Sequence, residues 1–189
     1  MSRLETPVIS SMKIFIYIDS CAWNYIVEHG IDLEEELPAQ RYQLCVTPEI
    51  DNELAAIPNQ KSELKNSIQK IRERNSVNIT RSFGFVAPYV GFGQGSFQSP
   101  SEKEWHKNYY RADPPRSLKG SGLPSGVTDA DLARRSSDTV VLTAESARKS
   151  GPLKSAANEG KLVIFLGTDF KPGDMSLGKY IEHRLKTLT

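Results

Sequence analysis

The sequence predicts an α/β fold: a three-layer α/β/α arrangement around a central, mainly parallel sheet, with a long insertion at about 81–127. Three observations carry this expectation. The strand-like segments "IFIYI" (14–18), "YQLCV" (42–46) and "KLVIFL" (161–166) are continuous apolar runs, as in strands buried on both faces. Segments of helical character lie between them, the pattern that builds parallel sheets from crossover units. Two of the runs finish on an acid, Asp19 and Asp169, at the strand end where open α/β sheets bind their ligands.

Taken in order, "SCAWNYIVEHG" (20–30) reads as a short helix after the first strand, closed by Gly30. The second strand leads to Pro48, which suits a first helical turn and starts "PEIDNELAAI" before Pro58. The next helix, 61–74, places Leu64, Ile68 and Ile71 along one face. Residues 81–127 break the rhythm, with more than half of the 13 glycines and five of the 11 prolines, and aromatics between them. Such a stretch reads as a long loop, with one short helix around 101–111. From 128 to 151 the chain is expected to be mostly helical, with a further helical piece at 152–159. The strand "KLVIFL" and an amphipathic helix near 176–187 complete it.

A chain of 189 residues, 38% hydrophobic, suffices for one domain, here placed at 12–189. Residues 1–11 are expected to form a mobile extension ahead of Met12, without the basic flank and apolar core of a signal peptide. No run of about 18 apolar residues predicts a membrane span. Cys21 and Cys45 lack metal-ligand spacing and read as reduced thiols of a cytoplasmic protein. Charge is segregated: residues 1–60 carry ten acids and three bases, and residues 61–189 carry 13 acids and 21 bases. That separation permits a local surface for an anionic ligand, which the net charge of +1 conceals.

Between Asp19 and Asp169 lie Glu53, on the helix after the second strand, and Asp138, ahead of the apolar run "TVVLTA". Each has a local alternative: Asp19 and Asp138 as helix caps, Glu53 as a solvated side chain, Asp169 as a turn residue. If they converge, two carboxylates about 5 Å apart repel by about 3 kcal/mol at an effective dielectric near 20. A cation must then offset them, and oxygen ligands suit Mg²⁺ or Mn²⁺, ions that serve phosphoryl chemistry. Asp131 is seven residues from Asp138, about 10.5 Å along a continuous helix, so only one of the two can join the site. Asp138 is the expected choice, because Arg134 and Arg135 stand where they would pair with Asp131 on the surface.

The ordered set strand–Asp19, "TPEIDNELAAI", "SSDTVVLTAE" and strand–"TDF" resembles the PIN-domain family of metal-dependent ribonucleases, which includes toxins of bacterial toxin–antitoxin pairs and RNA-processing nucleases. The resemblance covers roughly 13–80 and 128–175. It implies a PIN-like fold and an endoribonuclease that hydrolyses single-stranded or structured RNA, leaving a 5′-phosphate and a 3′-hydroxyl. It implies Asp19, Glu53, Asp138 and Asp169 as catalytic metal ligands for Mg²⁺ or Mn²⁺, with Asp174 as a further acid and Ser20 and Thr168 as supporting polar residues. An antitoxin protein and a second copy of the chain are the implied protein partners. Within the insertion, Lys103, Lys107, Arg111, Arg116 and Lys119 among aromatics suit stacking on unpaired bases and contact with phosphates. Two rival classes are a non-catalytic RNA- or protein-binding module on the same fold and a hydrolase of small phosphoesters.

Overall fold

The computed structural model describes residues 13–80 and 126–188. The expectations for residues 1–11, for the insertion up to 125, and for its five basic residues lie outside the described residues.

Five strands form one sheet: β1 (Ile14–Ile18), β2 (Tyr42–Val46), β3 (Asn78–Ile79), β4 (Val140–Thr143) and β5 (Val163–Phe165). Their order is β3-β2-β1-β4-β5, and every pairing is parallel. The helices are α1 (Ser20–Glu28), α2 (Leu33–Glu36), α3 (Pro48–Ala55), α4 (Ser62–Arg74), α5 (Val127–Arg135), α6 (Pro152–Asn158) and α7 (Leu177–Leu188). From β1 the chain winds outward through β2 to β3, then crosses to β4 and winds the other way to β5. Right-handed crossovers therefore put α1 and α4, which pack together, on one face and α6, packed with α5, on the other. This is the three-layer arrangement the apolar runs imply. Ile16, Ile18, Leu44, Val46, Val141, Leu142 and Ile164 are all buried between the helical layers.

Two strands depart from the sequence expectation. The run after Asp138 is strand β4, not a helix, so helix α5 stops at Arg135 and a turn at 136–139 intervenes. Four apolar or β-branched residues carry no period that separates strand from helix. Pairing on both sides decides it: Ile16, Tyr17 and Ile18 flank Val140, Val141 and Leu142, while Val141, Leu142 and Thr143 flank Val163, Ile164 and Phe165. Strand β3 has two residues, too few for any pattern.

Helix starts follow the side chains. Thr47 caps α3 by accepting the Ile50 N–H at 3.3 Å, and Pro48 occupies the first turn. Helix α7 is pinned against α2 and β2: the Leu177 N–H donates to the Glu36 carboxylate, and the Tyr42 hydroxyl donates to Gly178 O at 3.3 Å and Glu182 Oε1 at 3.1 Å. A Cβ at Gly178 would lie 2.6 Å from the Glu36 carbonyl oxygen, a backbone atom that cannot swing aside. Gly178→Ala is therefore expected to lower the melting temperature, at about 1–3 kcal/mol for an overpacked contact. An unchanged thermal midpoint would show that α7 shifts freely. Among the described residues no helix is long and apolar enough to cross a membrane.

Candidate functional site

The sheet reverses its winding direction between β1 and β4, and ligands of open α/β sheets bind in the crevice beyond the strand ends at such a point. Register fixes what stands there. Ile18 pairs with Leu142, and the Asp19 N–H donates to Leu142 O at 3.0 Å, so Asp19 and Thr143 leave the sheet side by side.

Asp19 is only 3% exposed. Its Oδ1 accepts the Ser20 N–H at 2.7 Å, and its Oδ2 accepts the Thr143 hydroxyl at 2.8 Å and the Cys21 thiol at 2.9 Å. Burial raises its pKa above the ordinary carboxylate value; the three hydrogen bonds oppose that rise, and the Glu145 charge adds to it. None of these partners carries a positive charge. Asp19 thus does cap α1, and the cap sits inside an acidic site.

Ser20 ties Asp19 to Glu53. Its hydroxyl donates to Glu53 Oε2 at 2.6 Å, and the Ser20 Oγ also lies 3.4 Å from Asp19 Oδ1. The other Glu53 oxygen, Oε1, accepts the hydroxyl of Thr128 at 2.9 Å. Thr128 is buried in the first turn of α5, next to Asp129. One carboxylate is therefore oriented by hydroxyls from two elements that the sequence separates by over a hundred residues.

The sequence reading missed Glu145. It follows β4, and its backbone N–H donates to Thr143 Oγ1 at 3.2 Å, the hydroxyl that also holds Asp19. Its carboxylate pairs with Lys149, whose ammonium also lies in the field of Asp129. The signal was present in "VVLTAE": a strand ending on an acid, like β1, hidden because the run was read as helix. The Cys21 thiol is pushed up to about 12 by burial and then by Asp19, so it is a neutral donor here rather than a nucleophile.

The expected four-acid set is only partly brought together. Asp19 and Glu53 meet through Ser20. Asp138 does not join them: it is exposed in the turn before β4, at the amino edge of a parallel sheet whose carboxyl edge carries Asp19. Strand β4 alone puts about 10 Å between the two edges. Asp169 does lie past the carboxyl end of β5, but β4 intervenes, so two strand spacings, about 9.6 Å, separate those strand ends. Its Oδ2 instead accepts the Phe165 N–H at 3.0 Å, closing a local turn. Thr168 and Asp174 are exposed in the same loop.

Asp131 pairs with Arg134 and Arg135 as expected, but within the protein rather than on its surface: all three side chains are 9% exposed. Arg135 also donates to the Tyr17 hydroxyl at 2.7 Å and Thr80 O at 3.3 Å, and its guanidinium lies 4.5 Å from the Tyr17 ring centre. This network ties α5 to β1 and to the end of β3.

Among the described residues, no three His, Cys, Asp or Glu side chains stand close enough together to hold a metal ion. The donors at the crevice nonetheless have the chemistry of a hard-cation site. They are mainly carboxylate and hydroxyl oxygens, and a buried carboxylate with only neutral partners stands at the centre. Mg²⁺ typically takes one or two protein carboxylates and keeps water in its other positions.

No protein-family model matches the chain, and no curated protein matches it. Among solved structures, a domain of a functionally unknown protein from Methanocaldococcus jannaschii DSM 2661 is similar at 12% identity and a TM-score of 0.41. The match covers 87% of this chain and 99% of that one.

Proposed function

We propose that the chain is a PIN-like, metal-dependent endoribonuclease whose site is the crevice at the carboxyl ends of β1 and β4. The observation that carries the reading is the pairing of buried Asp19 with Glu53 through the Ser20 hydroxyl, at the point where the sheet reverses. Glu145 replaces Asp138 in the acidic set, and Asp129 flanks it from the first turn of α5.

Asp19 and Glu53 would hold the ion, with Glu145 beside them. A bound Mg²⁺ or Mn²⁺ supplies positive charge to the phosphodiester oxygens and to an attacking water. The chain's own residues hold the carboxylates. The Ser20 N–H and the Thr143 hydroxyl fix the two Asp19 oxygens. Ser20 and Thr128 fix those of Glu53, which leaves neither acid free to rotate. Burial of Asp19 keeps the inner side of the site away from bulk water, which strengthens each charge interaction there.

The test is end-labelled single-stranded RNA incubated with purified protein in Mn²⁺, in Mg²⁺ and in excess EDTA. Cleavage is expected only with metal, leaving 5′-phosphate products. Glu145→Gln should slow it at least about tenfold, the loss of about 1.4 kcal/mol of transition-state stabilisation. Asp138→Asn, at the far edge of the sheet, should leave it unchanged. Undiminished cleavage in EDTA would overturn the reading, and a defect in Asp138→Asn equal to that in Glu145→Gln would misplace the site.

A further inference from the structure

We propose that Lys149 is a built-in counter-cation of the acidic site: its ammonium neutralises Glu145 in the metal-free protein and must be displaced before Glu145 can face a divalent ion. This inference rests on the metal-dependent reading of the same crevice.

The geometry is built by the loop after β4. Lys149 stands four residues beyond Glu145, but the segment between them is a turn rather than a helix. The Lys149 N–H donates to Ser146 O at 2.9 Å and the Arg148 N–H to Ser146 Oγ at 3.3 Å, which folds the chain back so that the ammonium meets the Glu145 carboxylate. From there the path to the buried acid is short. The Glu145 N–H reaches Thr143 Oγ1 at 3.2 Å, and Thr143 Oγ1 reaches Asp19 Oδ2 at 2.8 Å. Asp129, from the first turn of α5, adds a second negative charge to the field at the same ammonium. One cation thus pairs with Glu145 after β4 and lies in the field of Asp129 on α5.

The Lys149 side chain is 57% exposed and that of Glu145 is 22% exposed. An ion pair so open to water is weak and readily exchanged, as a displaceable occupant has to be. A divalent ion entering beside Glu145 meets the repulsion of the ammonium and competes with it for the same carboxylate. The lysine therefore raises the metal concentration at which the site fills, and it keeps Glu145 neutralised when no metal is bound.

Metal-free wild type, Lys149→Met and Lys154→Met are to be titrated with Mn²⁺ by calorimetry, with the thermal midpoint at each concentration as a second readout. Lys154 is the control for net charge, because its ammonium lies over the Phe165 ring, 5.9 Å from the ring centre, instead of against Glu145. Lys149→Met is expected to bind Mn²⁺ about tenfold more tightly than wild type, the effect of removing one positive charge at close range. Lys154→Met should stay within about twofold of wild type, because its half-buried ammonium lies against the Phe165 ring and does not pair with Glu145. Equal or weaker binding by Lys149→Met overturns this inference and leaves the nuclease reading standing. Equal tightening in both variants reduces the effect to net charge and also overturns it. Binding by Lys149→Met where wild type shows none supports it most strongly. No Mn²⁺ binding by either protein overturns the inference and the metal reading together.

Discussion

Asp19→Asn is expected to abolish metal-dependent RNA cleavage while leaving the metal-free protein at least as stable as wild type at pH 7. The two halves of that result have different causes. Asn is also a good helix cap, so it can keep the Ser20 N–H that starts α1. It cannot supply the negative charge that attracts a divalent ion. Losing a central carboxylate at about 3 kcal/mol of transition-state stabilisation slows cleavage at least about a hundredfold.

The stability half follows from burial. The pKa of Asp19 is raised in the folded protein, mainly by desolvation, so over the window above the unfolded value of about 3.9 the native state holds the proton more firmly than the unfolded chain. Stability therefore falls as pH rises through that window, and the loss persists at higher pH where Asp19 is ionised in both states. Below the unfolded pKa the two proteins should melt alike. Toward neutral pH, metal-free Asp19→Asn should melt at the higher temperature. Thermal melts from pH 3 to pH 8 in EDTA would measure this. A mutant that is markedly less stable at pH 7 would make Asp19 a structural ion of the fold rather than a metal ligand.

Asp131→Asn is expected to have the largest effect on stability and little on chemistry. Asp131 neutralises Arg134 and Arg135, all three nearly buried, and Arg135 in turn grips Tyr17 on β1 and Thr80 after β3. Burial works against the Arg135 charge, and the charge of Asp131 with its hydrogen bond offsets it to leave the guanidinium more firmly protonated than usual. Removing one member of a buried ion network costs about 3–5 kcal/mol, because the remaining charges stay desolvated without their partner. For a chain of this size that corresponds to a fall of about 6–20 °C in the melting temperature. At a temperature where the variant remains folded, its metal-dependent cleavage should stay within a few-fold of wild type. Denaturant melts beside cleavage rates separate the two effects. A stable Asp131→Asn protein with no activity would place Asp131 in the site and overturn the structural role.

Much of the fold was legible in the chain. Apolar runs 14–18, 42–46 and 161–166 correspond to β1, β2 and β5, since a parallel strand covered on both faces admits few polar residues anywhere along it. Helices α1, α3, α4, α6 and α7 followed from period, proline and glycine. Asp19 and Glu53 were readable because each follows directly from such an element: the first residue past β1, and a position on the helix that Thr47 and Pro48 start after β2.

What the sequence left undecided was identity of pattern and neighbourhood. "TVVLT" is compatible with a helix or a strand by itself, and only β1 on one side and β5 on the other make it a strand. That single choice sends Asp138 to the amino edge of the sheet, brings Thr143 and Glu145 to the crevice, and leaves Asp169 beyond β5, one strand further along the carboxyl edge. Burial of the Asp131 pair was equally invisible, because the i,i+3 and i,i+4 spacings look the same on a surface helix and an inner one. The sequence by itself determined which segments become strands and helices where their patterns are long. Tertiary structure decided which strand ends become neighbours, since pairing between strands distant in the chain is a matter of hydrogen bonding and packing that no local pattern encodes.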